Sequence, residues 1–500
     1  MGSDTGAREQ YPEVATAEGR VRGWWRPTTG GTGAASSAAF LGIPFAEPPV
    51  AELRFAAPVP KAPWDGVLDA TAFGATPQRG DPGVTLIPEP SVPGPSTLNV
   101  NVFTPAPRRR FPGLPVLVWI HGGGYYAGSP ASPWYDGRNF NRDGVVTVTI
   151  SYRLGFDGFG WIQDAPSNRG VRDWLLALEW VRRNIAAFGG DPGRVTIAGQ
   201  SAGGGAVTTL LGMESAQHLF HSAYCLSGAM GALPAARAQE FGRALAERGG
   251  VAPTRLGWSA LPEERILELQ KDQTRIGPRT LRSMRTGGLP LGPTVDGDLI
   301  RRSPLASLRE GIGGDKPFVV GSADDEFTAV AARSGAVLRW IPRNLLLRTA
   351  GLSGDARTAY LAANAEVAAL GKIRLTGRVL TDAVFRANVL RILEARGPGP
   401  TWTYRFSWPS GNDGLAGHCI DVPFFFDCLD GPALAPLTGG HPPRPLADEV
   451  HRAAVDFVTD GDPGWPRYEE TGSPVKVFGT PSALRADDYR SVRAMLTARR

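Results

Sequence analysis

The run Val195-Thr196-Ile197-Ala198-Gly199-Gln200-Ser201-Ala202-Gly203-Gly204 decides how this chain is read. Its first four residues are apolar or β-branched, as in a strand covered on both faces. The apolar stretch 207–211 beyond it suits a helix. Gly-x-Ser-x-Gly between a strand and a helix marks a turn tight enough to push a serine clear of the sheet, with glycines at both flanks. The helix start behind the serine favours developing negative charge. In a chain with 64 glycines the five-residue pattern alone arises by chance; the strand before it makes Ser201 a candidate nucleophile.

Outward from that turn, 116–120 and 145–150 read as further buried strands. Between 145–150 and 195–198, Val171, Trp174, Leu175, Leu178, Val181, Ile185 and Phe188 recur at helical spacing, and Gly189-Gly190 stops the run. Strands are expected again at 223–226, 317–320, 402–406 and 475–478. Strand alternating with helix predicts an α/β protein with a central, mostly parallel sheet flanked by helices. At roughly 150 residues per domain, 500 residues suggest three domains. Yet no repeat and no linker divides the chain, so one enlarged domain over 1–500 is the expectation, with lid-forming insertions near 76–97 and 250–400.

Charge excludes several classes. The net charge is +5 and the pI about 9.2, but lysine occurs only at Lys61, Lys271, Lys316, Lys372 and Lys476, and the arginines alternate with acids. The one dense cluster, Arg108-Arg109-Arg110 between prolines, reads as a solvated turn, so no nucleic-acid partner is expected. No apolar run approaches the ~18 to 20 residues of a membrane span, which predicts no membrane association. Residues 1–13 lack a secretory pattern, which predicts a cytoplasmic protein. Cys225, Cys419 and Cys428 fit neither a disulfide framework nor a zinc site and read as reduced, partly buried thiols. No metal or cofactor is implied.

A second segment, His121-Gly122-Gly123-Gly124-Tyr125, follows directly on strand 116–120. Such a run bares backbone N–H groups at the carboxyl edge of a sheet. Attack on an ester charges the carbonyl oxygen, and each preorganised donor there is worth about 10² to 10³ in rate. Gly123, Gly124 and Ala202 are the candidate donors. A serine hydroxyl also needs a base, and six histidines are present. His121 belongs to the glycine loop; His218 and His221 lie across the helix that Ser201 starts. His441 stands between glycines and prolines, and His451, in the amphipathic run 446–457, reads as a surface histidine. His418, after strand 402–406, is left. An acid between Ser201 and His418, just after a strand, is offered by Asp324, Asp325 and Glu326, among which composition does not choose.

The chain resembles the type-B carboxylesterase family of α/β-hydrolases over residues 15–489. The likeness rests on Leu41-Gly42-Ile43-Pro44-Phe45-Ala46-Glu47-Pro48-Pro49, Leu53-Arg54-Phe55, Asn101-Val102-Phe103-Thr104-Pro105, the glycine loop, Asn184-Ile185 and Phe188-Gly189-Gly190-Asp191-Pro192. The resemblance implies an α/β-hydrolase fold and a serine hydrolase that cleaves small carboxylic esters through an acyl-enzyme. Ser201 would be the nucleophile, His418 the base and Glu326 the acid, with Asp325 the alternative. The glycine that usually follows the acid is Phe327, and Cys419 replaces another after the histidine. Thr76 and Thr97 stand where many members have a disulfide, and Pro95-Ser96 where an acidic partner for Arg54 is usual. Tyr125, Tyr126 and Phe424 are the candidate substrate-lining residues. Acyl transfer, or amide or carbamate cleavage, would use the same groups; a non-catalytic binding protein is the remaining class. Oligomeric state is not legible.

Overall fold

A strand that is apolar throughout must be covered on both faces, and the middle strands of this chain meet that demand. In the computed structural model, residues 10–30, 33–77, 86–108, 113–228, 231–274, 288–333, 335–338, 340–468 and 472–497 are described. Arg109 and Arg110 of the basic cluster, residues 78–85 of the first insertion, 275–287 of the second and 1–9 of the N-terminal stretch lie outside these.

Eleven strands form the main sheet: β1 (Trp24–Pro27), β2 (Ser36–Pro44), β3 (Asn99–Thr104), β4 (Leu114–Ile120), β5 (Val146–Ile150), β6 (Gly190–Gln200), β7 (Ser222–Leu226), β8 (Phe318–Ala323), β9 (Thr401–Phe406), β10 (Pro474–Phe478) and β11 (Ala483–Ala486). Their order is β11-β10-β9-β8-β7-β6-β4-β5-β3-β2-β1. Pairing is parallel from β5 through β10 and antiparallel at both ends. The strands expected from sequence are all present, within a residue or two, except that β6 begins five residues early and β8 ends three residues late. The antiparallel strands β1 to β3 and β11 were not among them. Strand β8 crosses the stretch 250–400, which is therefore not one continuous insertion.

Along β4, Val116, Val118 and Ile120 enter one core cluster while Leu117 and Trp119 enter another. This is the period-two alternation of a pleated strand buried on both faces. Helix α1 (Arg169–Asn184), with Val171, Trp174, Leu178 and Val181, and helix α2 (Ala202–Leu211) cover the first face. The expected helix over 171–188 ends as a short 3-10 turn, Ile185–Phe188, with Gly189 at φ 83° capping it. Helices α3 (Lys372–Thr381) and α4 (Ala387–Arg396) follow β8, and helix α5 (Arg444–Asp460) covers the second face through Leu446, Val450, Ala454 and Phe457.

His451 lies on that buried stripe of α5. It is not the surface histidine its type suggests: it is 2% exposed, with Nδ1 2.8 Å from the Phe425 carbonyl and Nε2 3.1 Å from Asp143. The three cysteines are free and buried. No helix among the described residues is long and apolar enough to cross a membrane.

Candidate active site

Parallel pairing in register, with Ile120 opposite Gly199 and Gly199 opposite Cys225, brings the carboxyl ends of β4, β6 and β7 to one edge. In open α/β sheets that edge is where ligands bind. Ser201 leaves β6 there with φ 58° and ψ −119°, a conformation costly for a residue with a side chain. The N–H of Ser201 donates to Leu226 (3.0 Å), and its carbonyl accepts from Gly205 (2.9 Å), so the strained turn is tied at both ends.

The flanking glycines are demanded by contact between backbones. A Cβ on Gly203 would stand 1.9 Å from the Ile120 carbonyl oxygen, and one on Gly199 2.6 Å from the Gly203 carbonyl. The glycine loop closes on the same point: a Cβ on Gly122 would meet the Gln200 oxygen at 2.7 Å and Ser201 Cβ at 3.2 Å. Gly123 (φ 108°) and Gly124 (φ 63°) turn the loop back on itself, and the Gly123 carbonyl accepts from Tyr126 (3.2 Å) and Ala127 (2.9 Å). Ala202 is the first residue of α2, so its N–H has no partner within the helix. His121 is fully buried and stacks on Tyr152, whose hydroxyl donates to the His121 carbonyl (2.9 Å). Burial lowers its imidazole pKa to about 4, although the Gly122 carbonyl opposes the shift, so a neutral His121 braces the loop.

His418 Nε2 lies 3.0 Å from Ser201 Oγ, and Nδ1 lies 2.5 Å from Glu326 Oε2. The other Glu326 oxygen accepts the Ala323 N–H at 2.8 Å, which fixes the carboxylate at the end of β8. Its two neighbours are engaged elsewhere. Asp324 takes a paired contact from Arg405 (2.8 and 2.6 Å), and Asp325 accepts from Thr328 Oγ1 at 3.2 Å. Of the three carboxylates only Glu326 meets the imidazole. Burial disfavours the imidazolium, but the neighbouring Cys419 and then Glu326 oppose it and together raise the pKa of His418 well above that of an ordinary histidine. Burial in turn pushes the Cys419 thiol up.

Two candidate lining residues belong to the core. Tyr125 is 2% exposed and packs on Phe159 and Trp174; Phe424 is fully buried against Phe406 and Trp408. Neither side chain has a surface to offer a ligand, because each is already surrounded by aromatic rings. Tyr126 is half-buried and lines a cavity of about 650 Å³ with Leu154, Phe156 and Ile266. A larger one, of about 970 Å³, lies away from Ser201 against Arg142, Arg444 and His451. Arg54, without the usual acidic partner, reaches Asp157 at 3.5 Å and the Leu261 carbonyl at 3.3 Å. Thr76 is buried and exchanges bonds with Val92. Sequence reasoning missed Gln200, whose Nε2 sits 3.3 and 3.5 Å from the two His418 nitrogens while its Oε1 accepts from Cys419 Sγ at 3.3 Å. Its place beside Ser201 was the available signal.

The profile of the carboxylesterase family matches residues 10–478. The chain belongs to the carboxylesterase family. This carboxylesterase is 33% identical to the para-nitrobenzyl esterase of Bacillus subtilis (strain 168) over 479 residues, which cover 91% of this chain and 94% of that protein. It is 32% identical to the phenmedipham hydrolase of Pseudarthrobacter oxydans, with 91% and 95% covered. The crystal structure of the carboxylesterase EST55 of Geobacillus stearothermophilus at pH 6.2 superposes with a TM-score of 0.80 at 31% identity, over 97% of this chain and 99% of that one. The fold is thus that of the α/β-hydrolases, and the protein is a carboxylic ester hydrolase acting on small ester substrates.

Proposed function

We propose that this carboxylesterase cleaves esters through an acyl-enzyme formed on Ser201, with His418 as general base and then general acid, and Glu326 orienting the imidazole. The contact that carries the proposal is the relay from Ser201 Oγ through His418 to Glu326 at 3.0 and 2.5 Å. In the first half-reaction His418 Nε2 takes the Ser201 proton as Oγ attacks the ester carbonyl. The carbonyl oxygen becomes anionic, facing the N–H groups of Gly123, Gly124 and Ala202, and collapse of the intermediate expels the alcohol with the proton held on His418. Water then repeats the sequence on the acyl-enzyme. No step calls for a metal or cofactor. The chain reads as one α/β-hydrolase domain, and three unpaired, buried cysteines favour a reducing, cytoplasmic setting.

Hydrolysis of short p-nitrophenyl esters, measured beside covalent labelling by a fluorophosphonate probe, tests the assignment. Ser201→Ala is expected to lose at least about 10⁴-fold in kcat and all labelling while melting like the wild type. Retention of more than a trace of activity would overturn it. Adding alcohol acceptors and identifying the products separates hydrolysis from acyl transfer.

A further inference from the structure

His418 shares hydrogen bonds with Ser201, Glu326 and Gln200, and packing adds to them. Its side chain is about one-tenth exposed and comes from a loop, not from a strand or helix. Displacement of a catalytic group by about 1 Å can cost roughly 10²-fold in rate. The imidazole also meets two rings. The Phe385 centroid lies 5.0 Å from that of His418 at a tilt of 38°, and the Phe327 centroid lies 5.8 Å away, edge-on at 67°. Phe327 and Phe385 also touch each other edge to face at 5.0 Å and 86°. Both are buried, Phe385 to 1% exposure, in a small apolar cluster of their own with Val384.

Phe385 is presented by an unusual piece of backbone. Between α3 and α4 the helix widens into one π turn, Asp382–Arg386. Such turns are rare and concentrate at functional sites. Here one turn serves two ends. Asp382 and Arg386 form a fully buried pair at 2.7 Å, with Tyr360 Oη donating to Asp382 at 2.6 Å. Phe385 meanwhile meets the imidazole. The last residue of α3, Thr381, accepts the Phe327 N–H at 3.1 Å, which joins the helix to the acid-bearing loop one residue past Glu326. The acid-bearing loop is thereby tied to the end of α3, and the imidazole packs on the π turn that follows it.

We propose that Phe385, braced by Phe327, is a positioning residue for His418: the two rings form a dry wall that holds the imidazole between Glu326 and Ser201. The proposal rests on the Ser201-His418-Glu326 reading. It predicts a loss in kcat, where proton transfer from Ser201 occurs, and not in KM, since neither ring has been placed against substrate. Phe385→Leu and Phe327→Leu keep both positions apolar. Each is expected to lower kcat per fluorophosphonate-labelled site about tenfold with KM within about twofold, and the double variant to lose less than the product of the single losses. Should Phe385→Leu fail to fold, Phe327→Leu carries the same test from the loop. Both single variants within about twofold of wild type in kcat, or a loss confined to KM, would overturn the wall. A wild-type enzyme that is not labelled at Ser201 would instead sink the underlying reading, so the two failures are distinguishable.

Discussion

The two sides of the candidate catalytic cleft are assembled by different means. Around Ser201, three backbone segments touch directly: Gly122 abuts Ser201, Gly199 abuts Gly203, and Gly203 abuts Ile120. Around His418 and Glu326, the two loops are joined by a backbone hydrogen bond, from the Asp325 N–H to the Ala416 carbonyl at 2.8 Å. His418 and Glu326 themselves sit on loops after β8 and β9 and, apart from the Ala323 N–H on Glu326, are held through side chains: Thr381, Phe327, Phe385 and Gln200. Backbone contact leaves no atom that can move aside, whereas side-chain contact can relax. The first side should therefore fail as structure when altered, and the second as chemistry.

Gly203→Ala is the sharpest way to break that contrast. Its Cβ would stand 1.9 Å from the Ile120 oxygen and 2.9 Å from that of His121, so β4 and the glycine loop would both have to shift. Overpacking costs typically about 1 to 3 kcal/mol where neighbours can yield. Here they are backbone, and a cost beyond about 3 kcal/mol is expected, with loss of soluble protein or a large fall in thermal midpoint. A variant that melted with the wild type would show that the contact is not rigid.

Glu326→Gln should do the reverse. The fold should persist, because glutamine keeps the volume and the Ala323 bond, while kcat falls by about 10³ to 10⁴ as the imidazole loses its orienting charge. The pH profile gives a second reading. In the proposed mechanism the reaction needs neutral His418, and Cys419 and then Glu326 oppose burial and raise its pKa. In the wild type kcat/KM should accordingly decline as pH falls through a midpoint above the ordinary histidine value. Without the carboxylate, burial remains and favours the neutral ring, so the midpoint of the residual activity should move to lower pH. A midpoint that stayed in place would mean that another group sets it.

The same contrast explains what was legible beforehand. The elbow and glycine loop are short, contiguous patterns whose glycines answer to local geometry, and each follows a run of apolar or β-branched residues. The acid was not legible from composition: Asp324, Asp325 and Glu326 are adjacent, and which meets His418 depends on Arg405 and Thr328, which arrive from elsewhere or turn back locally. Tyr125 and Phe424 were recognisable as aromatic residues near catalytic loops, yet sequence does not say toward which side a ring points. Strand β2 escaped because its SSAAFLGIP run mixes small polar with apolar residues and its pairing slips between Phe40 and Ile43. His451 was misread by weighing residue type over position, for it shares a helical stripe with Ala447 and Ala454.

The smallest expected effect concerns Asp421, three residues beyond His418 and 1% exposed. Tyr404 Oη donates to its Oδ2 at 3.0 Å, while Oδ1 finds no partner among the described residues. Burial, and then the nearby Glu326 charge, push its pKa up to about 7. In the unfolded chain the carboxyl has its ordinary pKa of about 3.9. Below that value both states are protonated and the group is neutral in the balance. Between there and about 7 the folded state holds a proton that the unfolded state has released, so stability drains away as pH rises and the penalty levels off above about 7. The amide introduced by Asp421→Asn has no proton to lose. As pH rises from about 5 to about 7 the thermal midpoint of wild type should therefore fall by a few degrees relative to that of Asp421→Asn, and from there to about pH 8 the two should run parallel. Because the comparison reads the slope with pH, any fixed cost of the buried amide cancels. Identical slopes would mean that Asp421 is ionised in the fold, and that the charge side of the cleft carries two carboxylates beside one imidazole.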